Sequence, residues 1–236
     1  MRTVAVVLAG GMGQRFGGDR PKQMQVLAGR TLIEHSVAAF EQAPGVDSIT
    51  IVMPAGLDGP ARQQFVAASH PKVTRVIEGG TTRTDSTRCA IASLGEDECN
   101  VLFHDAARPL LDQRIIADCV SALAADRAIG VAVPSADTIV EVADGVVTGM
   151  PRRDTLARCQ TPQGFRLSVI RRAYELADAD PSFTLRQATD DCGVVLRYLP
   201  DVPVRLVQGS ERNIKITYTD DLAIARALIG PAADAG

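Results

Sequence analysis

The chain has 236 residues, with 25 Lys and Arg against 28 Asp and Glu, a formal net charge of −3. Apolar residues make up 46% and charged residues 22%, the composition of a chain that buries a full core and is not disordered. The mildly acidic total excludes a general binder of nucleic acid or of an anionic membrane, both of which need a basic surface.

The elements follow in chain order. Val4, Ala5, Val6, Val7 and Leu8 form an uninterrupted apolar run, as expected of a buried parallel strand. A glycine-rich loop comes next. Thr31 and Glu34 have capping-box spacing, and Ile33, Val37 and Phe40 follow on one helical face. A second strand is predicted at residues 49–52 and a helix from Gly59 and Pro60 through Phe65 and Val66. A third strand spans 73–77, and a helix spans about 85–94 and stops at Gly95. Residues 101–103 form a fourth strand ending in His104 and Asp105. Asp112 caps a helix carrying Ile115, Ile116, Cys119, Val120 and Leu123, and residues 131–134 form a fifth strand. Residues 138–142 and 146–148 flank Ala143, Asp144 and Gly145, a hairpin signal, so residues 135–155 are expected to protrude as a β-arm. A helix over 169–177 follows, then one capped by Thr189 near Asp190 and Asp191. Strands are expected at 204–207 and 214–217, a last helix opens at Thr219, Asp220 and Asp221 and closes at Gly230, and residues 231–236 form a frayed tail. The alternation predicts an α/β fold, a Rossmann-like and mostly parallel sheet with helices on both faces plus the protruding arm, as one domain over residues 1–230. Ligands then belong at the carboxyl ends of the strands.

No run approaches 18 apolar residues, so no membrane span is expected, and residues 4–9 are too short for a signal-peptide core. Cys89, Cys99, Cys119, Cys159 and Cys192 contain no C-x-x-C pair, which suits reduced thiols in the cytoplasm better than a disulfide framework or a zinc site. Cys89, Cys119, Cys159 and Cys192 are expected in the core. His35, His70 and His104 lack metalloprotease spacing, and His104 suits a structural place at a strand end.

The loop after the first strand holds Gly10, Gly11, Gly13, Gly17 and Gly18, with Arg15 and then Pro21 and Lys22. Glycines let backbone amides approach phosphate oxygens, and the two cations add charge. The P-loop requires Gly-Lys-Ser/Thr, whereas Lys22 stands between Pro21 and Gln23. The dinucleotide fingerprint requires a third glycine where Phe16 stands. Gly79, Gly80, Thr81, Thr82, Arg83 and Ser86 follow the third strand, a turn that suits a base or phosphate. Asp105, Ala106, Ala107, Arg108 and Pro109 follow the fourth, and Asp105 there is placed to hold Mg²⁺ beside a phosphate loop. Among the described motifs there is no Ser-His, Cys-His or paired-carboxylate constellation.

The glycine loop resembles the signature of nucleotidyltransferases. With the segments around Asp105, around Thr161, Pro162 and Gln163, around Thr189, and around Asn213 and Lys215, the chain looks like the 2-C-methyl-D-erythritol 4-phosphate cytidylyltransferases of the non-mevalonate isoprenoid pathway, over residues 3–229. That resemblance implies Mg²⁺-dependent transfer of CMP from CTP to a polyol phosphate, with other divalent metals possible. It implies CTP binding by Ala9, Gly10, Gly11, Gly13, Arg15, Lys22, Gly80, Thr81, Ser86 and Ala106. It implies acceptor binding by Asp105, Arg108, Thr138, Arg153, Thr189 and Lys215. Arg15, Lys22, Arg153 and Lys215 match the family's catalytic cations, with Arg152 adjacent to Arg153 in the count. It further implies a homodimer in which the arm of one subunit reaches the other's site. Two alternatives stay open: a cytidylyltransferase for another polyol phosphate such as ribitol 5-phosphate, and a catalytically silent nucleotide-binding regulator. Gly10, Phe16 and Thr81 depart from the family's common residues without removing a needed charge.

Overall fold

The computed structural model describes residues 1–10, 21–67, 70–183 and 190–230. In chain order the elements are β1 (Thr3–Leu8), β2 (Val26–Leu27), β3 (Arg30–Thr31), α1 (Leu32–Glu41), β4 (Ser48–Met53), α2 (Asp58–Ala67), β5 (Val73–Glu78) and α3 (Arg83–Ser93). They continue with β6 (Asn100–Asp105), α4 (Gln113–Ala125), β7 (Ala128–Pro134), β8 (Glu141–Ala143), β9 (Val146–Gly149), β10 (Ala157–Arg166), α5 (Leu167–Asp178), α6 (Asp191–Tyr198), β11 (Arg205–Gln208) and α7 (Thr219–Ile229).

Among the described residues the main sheet has seven strands in the order β11-β7-β10-β6-β1-β4-β5. β1 runs parallel to β4 and β6, β4 to β5, and β11 to β7, while β10 runs antiparallel to both β6 and β7. The wholly apolar β1 sorts its side chains by parity. Ala5 and Val7 pack with Ile33, Phe40, Phe65 and Ile115 of α1, α2 and α4 on one face. Val4, Val6 and Leu8 pack with Ala90, Ile170 and Val195 of α3, α5 and α6 on the other. A smaller cluster joins Leu27 and Leu32 to Ile216, Leu222 and Ala225, seating α7 against the entry to α1.

The local signals operate as the sequence suggests at several points. Thr31 and Glu34 form a reciprocal capping box at α1. Asp112 accepts from the Arg114 amide at the start of α4. Asp144 and Gly145 sit at φ 50° and 79°, the left-handed pair that a two-residue hairpin needs between β8 and β9. Every residue of this hairpin is exposed apart from the half-buried Gly149.

Four expectations need correction. Residues 214–217 do not form a strand: the Ile216 amide donates to the carbonyl of Ala107, a loop, and makes no ladder. The cap of α6 is Asp190, whose carboxylate accepts from the Gly193 amide, and Thr189 lies outside the described residues. Cys159 is on a strand but exposed, because it lies at the outer end of β10. A single 3-10 turn at Arg153–Thr155 interrupts the arm segment, where no helix was expected. The two-residue ladder between β2 and β3, turned by Ala28 at φ 47° and Gly29 at φ 78°, gave no recognisable alternation.

Candidate active site

The chain runs outward through β1, β4 and β5, then returns to place β6 on the other side of β1. That reversal opens a crevice at the carboxyl ends of β1 and β6, where parallel sheets hold ligands. Leu8 pairs with Asp105 across it. Backbone bonds continue past the strand ends: the Ala106 amide donates to Leu8, Ala9 to Val52, and Gly79 to Met53. Ala9, Gly10, Ala106, Gly79 and Gly80 are thereby fixed along one edge.

The glycines there are required by close approach. A Cβ on Gly10 would lie 2.5 Å from the Ser86 hydroxyl oxygen, and one on Gly79 would lie 2.7 Å from the same atom and 2.8 Å from Val52 Cγ1. The start of α3 is capped by Thr82, with Asp85 closing the box, and Thr81 Oγ1 also donates to Asp85 at 3.0 Å. The edge thus presents a helix N-terminus beside backbone without side chains, which favours an anionic or polar group. Lys22 follows Pro21 in a single 3-10 turn, half-buried. Gly11, Gly13 and Arg15 lie outside the described residues.

Asp105 is the electrostatic centre of the opposite side. Its Oδ1 accepts from Arg83 Nε at 3.1 Å and its Oδ2 from Lys215 Nζ at 2.6 Å. Burial alone would raise its pKa, but Arg83 and Lys215, with Arg108 behind them, hold the carboxyl well below the usual carboxylate range. Arg83 extends the chain of charges: its Nη1 lies 2.9 Å from Oδ2 of Asp191, a wholly buried side chain. Burial opposes the charge on Arg83, yet Asp191 and Asp105 together raise its pKa.

Arg108 donates to the backbone carbonyls of Asn213 at 2.8 Å and Cys159 at 3.3 Å, tying the segment that carries Lys215 to the loop after β6. His104 is fully buried, and burial pushes its pKa down to about 4, so the ring is neutral. Its bonds assign the proton to Nε2, which donates to the Arg108 carbonyl, and leave Nδ1 to accept from the Thr161 hydroxyl. Thr161 Oγ1 in turn accepts from the Asp105 amide. This is possible because the β10 register against β7 breaks between Cys159 and Gln163.

The structure therefore brings together Ala9, Gly10, Gly80, Thr81, Ser86 and Ala106 on one side, and Asp105, Arg108 and Lys215 on the other. Thr138 and Arg153 stand apart in the exposed segment that carries the β8–β9 hairpin, where Arg153 Nη1 donates to the Ala136 carbonyl and Arg152 pairs with Asp154. Sequence places Arg83 in the turn that suits a base or phosphate, but its buried pairing with Asp191 was not foreseen. A metal bound directly by Asp105 does not fit this arrangement. Both of its oxygens already meet cations, and among the described residues no cluster of three His, Cys, Asp or Glu could hold a metal ion. No helix among the described residues is long and apolar enough to cross a membrane.

The family model described as 2-C-methyl-D-erythritol 4-phosphate cytidylyltransferase matches residues 3–230. A Thermobifida fusca protein of that name is 50% identical over 235 residues, covering 97% of this chain and 93% of its own length. A Haemophilus influenzae bifunctional ribulose 5-phosphate reductase/CDP-ribitol pyrophosphorylase is 37% identical, covering 96% of this chain and 48% of that protein. A solved structure of 4-diphosphocytidyl-2C-methyl-D-erythritol synthase from Anaerococcus prevotii matches at a TM-score of 0.78 and 27% identity, covering 97% of this chain and 98% of that one.

Proposed function

The chain belongs to the 2-C-methyl-D-erythritol 4-phosphate cytidylyltransferase family, and we propose that its transfer of CMP from CTP to methylerythritol phosphate runs at the β1–β6 crevice. The observation that carries this placement is the opposition, across one sheet edge, of a glycine-lined helix N-terminus and a cation cluster held on Asp105. CTP lies along the first, its base and phosphates facing Ala9, Gly10, Gly80, Thr81, Ser86 and Ala106, with Lys22 at the α-phosphate; the family resemblance adds Gly11, Gly13 and Arg15 as further CTP-binding residues. The acceptor lies toward Asp105, Arg108 and Lys215, and the family resemblance adds Thr189 as a further acceptor-binding residue.

A phosphate monoester has a second pKa of about 6, so the acceptor is largely dianionic at neutral pH and needs no general base. One of its oxygens attacks the α-phosphorus in line. The bond from that phosphorus to the bridging oxygen breaks, and pyrophosphate leaves with the electron pair. The barrier lies in bringing two anions together, and fixed cations lower it. Asp105 serves this as the anchor of Lys215. Magnesium, bound to CTP as part of the substrate, would neutralise phosphate charge beside Lys22 without drawing on Asp105.

The second subunit supplies Thr138 and Arg153 through the arm. Support comes from the exposed apolar side chains there, Val142 at 59%, Val146 at 64%, Val147 at 56% and Met150 at 66%, which a lone chain would leave in water. A sedimentation run showing only monomer at assay concentration would overturn the shared site. The phosphorylated substrates and five free cysteines support a cytoplasmic setting.

The test is pyrophosphate release from CTP and Mg²⁺ with each polyol phosphate in turn. Release with methylerythritol phosphate far above the others is expected. Preference for ribitol 5-phosphate would establish the second specificity, to which the Haemophilus likeness gives weight. No release with any acceptor, with CTP still bound, would favour a silent nucleotide binder.

A further inference from the structure

Beyond the residues that face the two substrates, one buried group shapes the acceptor side from a distance. Asp191 opens α6 with a side chain that has no exposure. Its Oδ1 accepts from the Tyr174 hydroxyl at 2.7 Å. Its amide and that of Cys192 donate to Gln163 Oε1, and Gln163 Nε2 donates to Asp190 at 2.8 Å. The residue is thus held at its carboxylate by Tyr174 of α5 and at its backbone by Gln163 of β10. Its other oxygen, without a hydrogen-bond partner among the described residues, forms an ion pair with Arg83 Nη1 at 2.9 Å.

A buried ion pair is a poor device for stability alone, because apolar side chains of similar volume do as well or better. A guanidinium, however, is a rigid planar fork. With Nε on Asp105 and Nη1 on Asp191, the plane of Arg83 is set by both acids at once. Arg83 can then offer Asp105 a single hydrogen bond, to Oδ1, and Oδ2 stays with Lys215 Nζ at 2.6 Å. Arg83 Nη2 is buried without a hydrogen-bond partner among the described residues, so the fork has a further donor to offer if its orientation is released. Without the negative charge on Asp191, Arg83 would turn to grip Asp105 with two parallel bonds, the preferred geometry of an arginine–carboxylate pair. It would then compete with Lys215 for Oδ2.

We propose that Asp191 is a positioning residue: by fixing Arg83 it limits that arginine to one oxygen of Asp105 and so sets the place of the Lys215 ammonium. This rests on the assignment of Lys215 to the acceptor phosphate made above. Tyr174 supports the same carboxylate, and burial together with the charge of Asp191 raises its pKa, keeping the hydroxyl a donor.

The experiment is steady-state kinetics of Asp191→Asn, Lys215→Gln and the double variant, with KM measured separately for CTP and acceptor. Asn keeps the size of Asp and an oxygen for Tyr174 but removes the charge. Expected for Asp191→Asn is a rise of about 10-fold in acceptor KM, with CTP KM unchanged within about 2-fold, the size of a single lost charge contact. Lys215→Gln should raise acceptor KM at least as much, and adding Asp191→Asn to it should add little, since both act through one ammonium. Equal rises in both KM values, or multiplied losses in the double variant, would overturn the positioning role while leaving Lys215 on the acceptor side. An unchanged acceptor KM in Lys215→Gln would overturn the assignment of Lys215 itself, and the role of Asp191 with it. If Asp191→Asn does not fold, Tyr174→Phe reads the same coupling. It should give a smaller rise of the same selectivity, absent in the Lys215→Gln background, and no selective rise would overturn the proposal.

Discussion

The Asp105 cluster and the β-arm both carry cations assigned to the acceptor, and the two hold them in opposite ways. Lys215 and Arg83 are locked by a buried carboxylate, with partners at 2.6 and 3.1 Å. Arg153 stands exposed on a short turn, with a 3.3 Å contact to the Ala136 carbonyl. The first arrangement is complete within one chain, because the sheet brings its members together before any substrate arrives. The second stands open, and under the proposed dimer another subunit completes it. Preorganised charge lowers the barrier without reorganisation at the moment of reaction, whereas borrowed charge makes activity depend on assembly.

Four substitutions probe that contrast. Lys22→Ala removes a cation from the α-phosphate and should lower kcat/KM by about 10³-fold or more, read by CTP-dependent pyrophosphate release. Undiminished release would defeat the charge-neutralisation mechanism outright. Arg153→Ala should raise acceptor KM by about 10²-fold, the worth of a charge-assisted pair. Mixing Arg153→Ala and Lys22→Ala subunits should restore part of the activity, because one hybrid site regains both cations. If the mixture stays as inactive as its components, the arm does not cross.

His104 tests the locked side through pH. Its folded pKa is pushed down to about 4 by burial, against about 6.5 in an unfolded chain. Above 6.5 neither state holds the proton, and pH has no effect through this ring. Between 6.5 and 4 the unfolded chain takes a proton that the fold refuses, so stability falls as pH falls. From pH 7 to 5 that loss is about 2 kcal/mol. Denaturant titration should find this part of the decline missing in His104→Gln, and an equal decline in both proteins would mean the ring is charged in the fold. The smallest effect is on the open side. Gly145 sits at φ 79° in the hairpin turn, so Gly145→Ala costs about 1 kcal/mol locally. The dimer dissociation constant should rise about 5-fold by sedimentation, with the acceptor cluster undisturbed. A dimer as tight as before would show that the arm tip carries no part of the interface.

Local signals made much of the fold legible. The apolar run of β1, the Thr31–Glu34 box and the Asp144–Gly145 turn each depend on neighbours within a few residues. So do the glycine edge and Asp105 at a strand end. Pairing over long separations was not legible. Arg83 and Asp191 are 108 positions apart and meet only because α3 and α6 cover the same face of the sheet. Residues 214–217 alternate like a strand, yet their burial comes from Ile216 packing under α7 while Lys215 turns to Asp105. Cys159 was misplaced for a related reason: an apolar residue in a strand is exposed when the strand overruns its neighbours' covered length.

The placement of β10 has a consequence for how the chain reaches its folded form. It lies antiparallel between β6 and β7, and it is the seam along which four strands on one side meet two on the other. The strands up to residue 105 can pair among themselves as they leave the ribosome. β7 emerges soon after but has no bonded neighbour in that group, and β11 arrives later still. Only when residues 157–166 enter do the halves become one sheet, and the same event brings Thr161 to the Asp105 amide. Long-range insertions of this kind are slow steps, because chain closure must precede the contacts that reward it. The ladder that joins the two halves is therefore the one that aligns the Asp105 loop, so catalytic competence should not appear in refolding before β10 has entered the sheet.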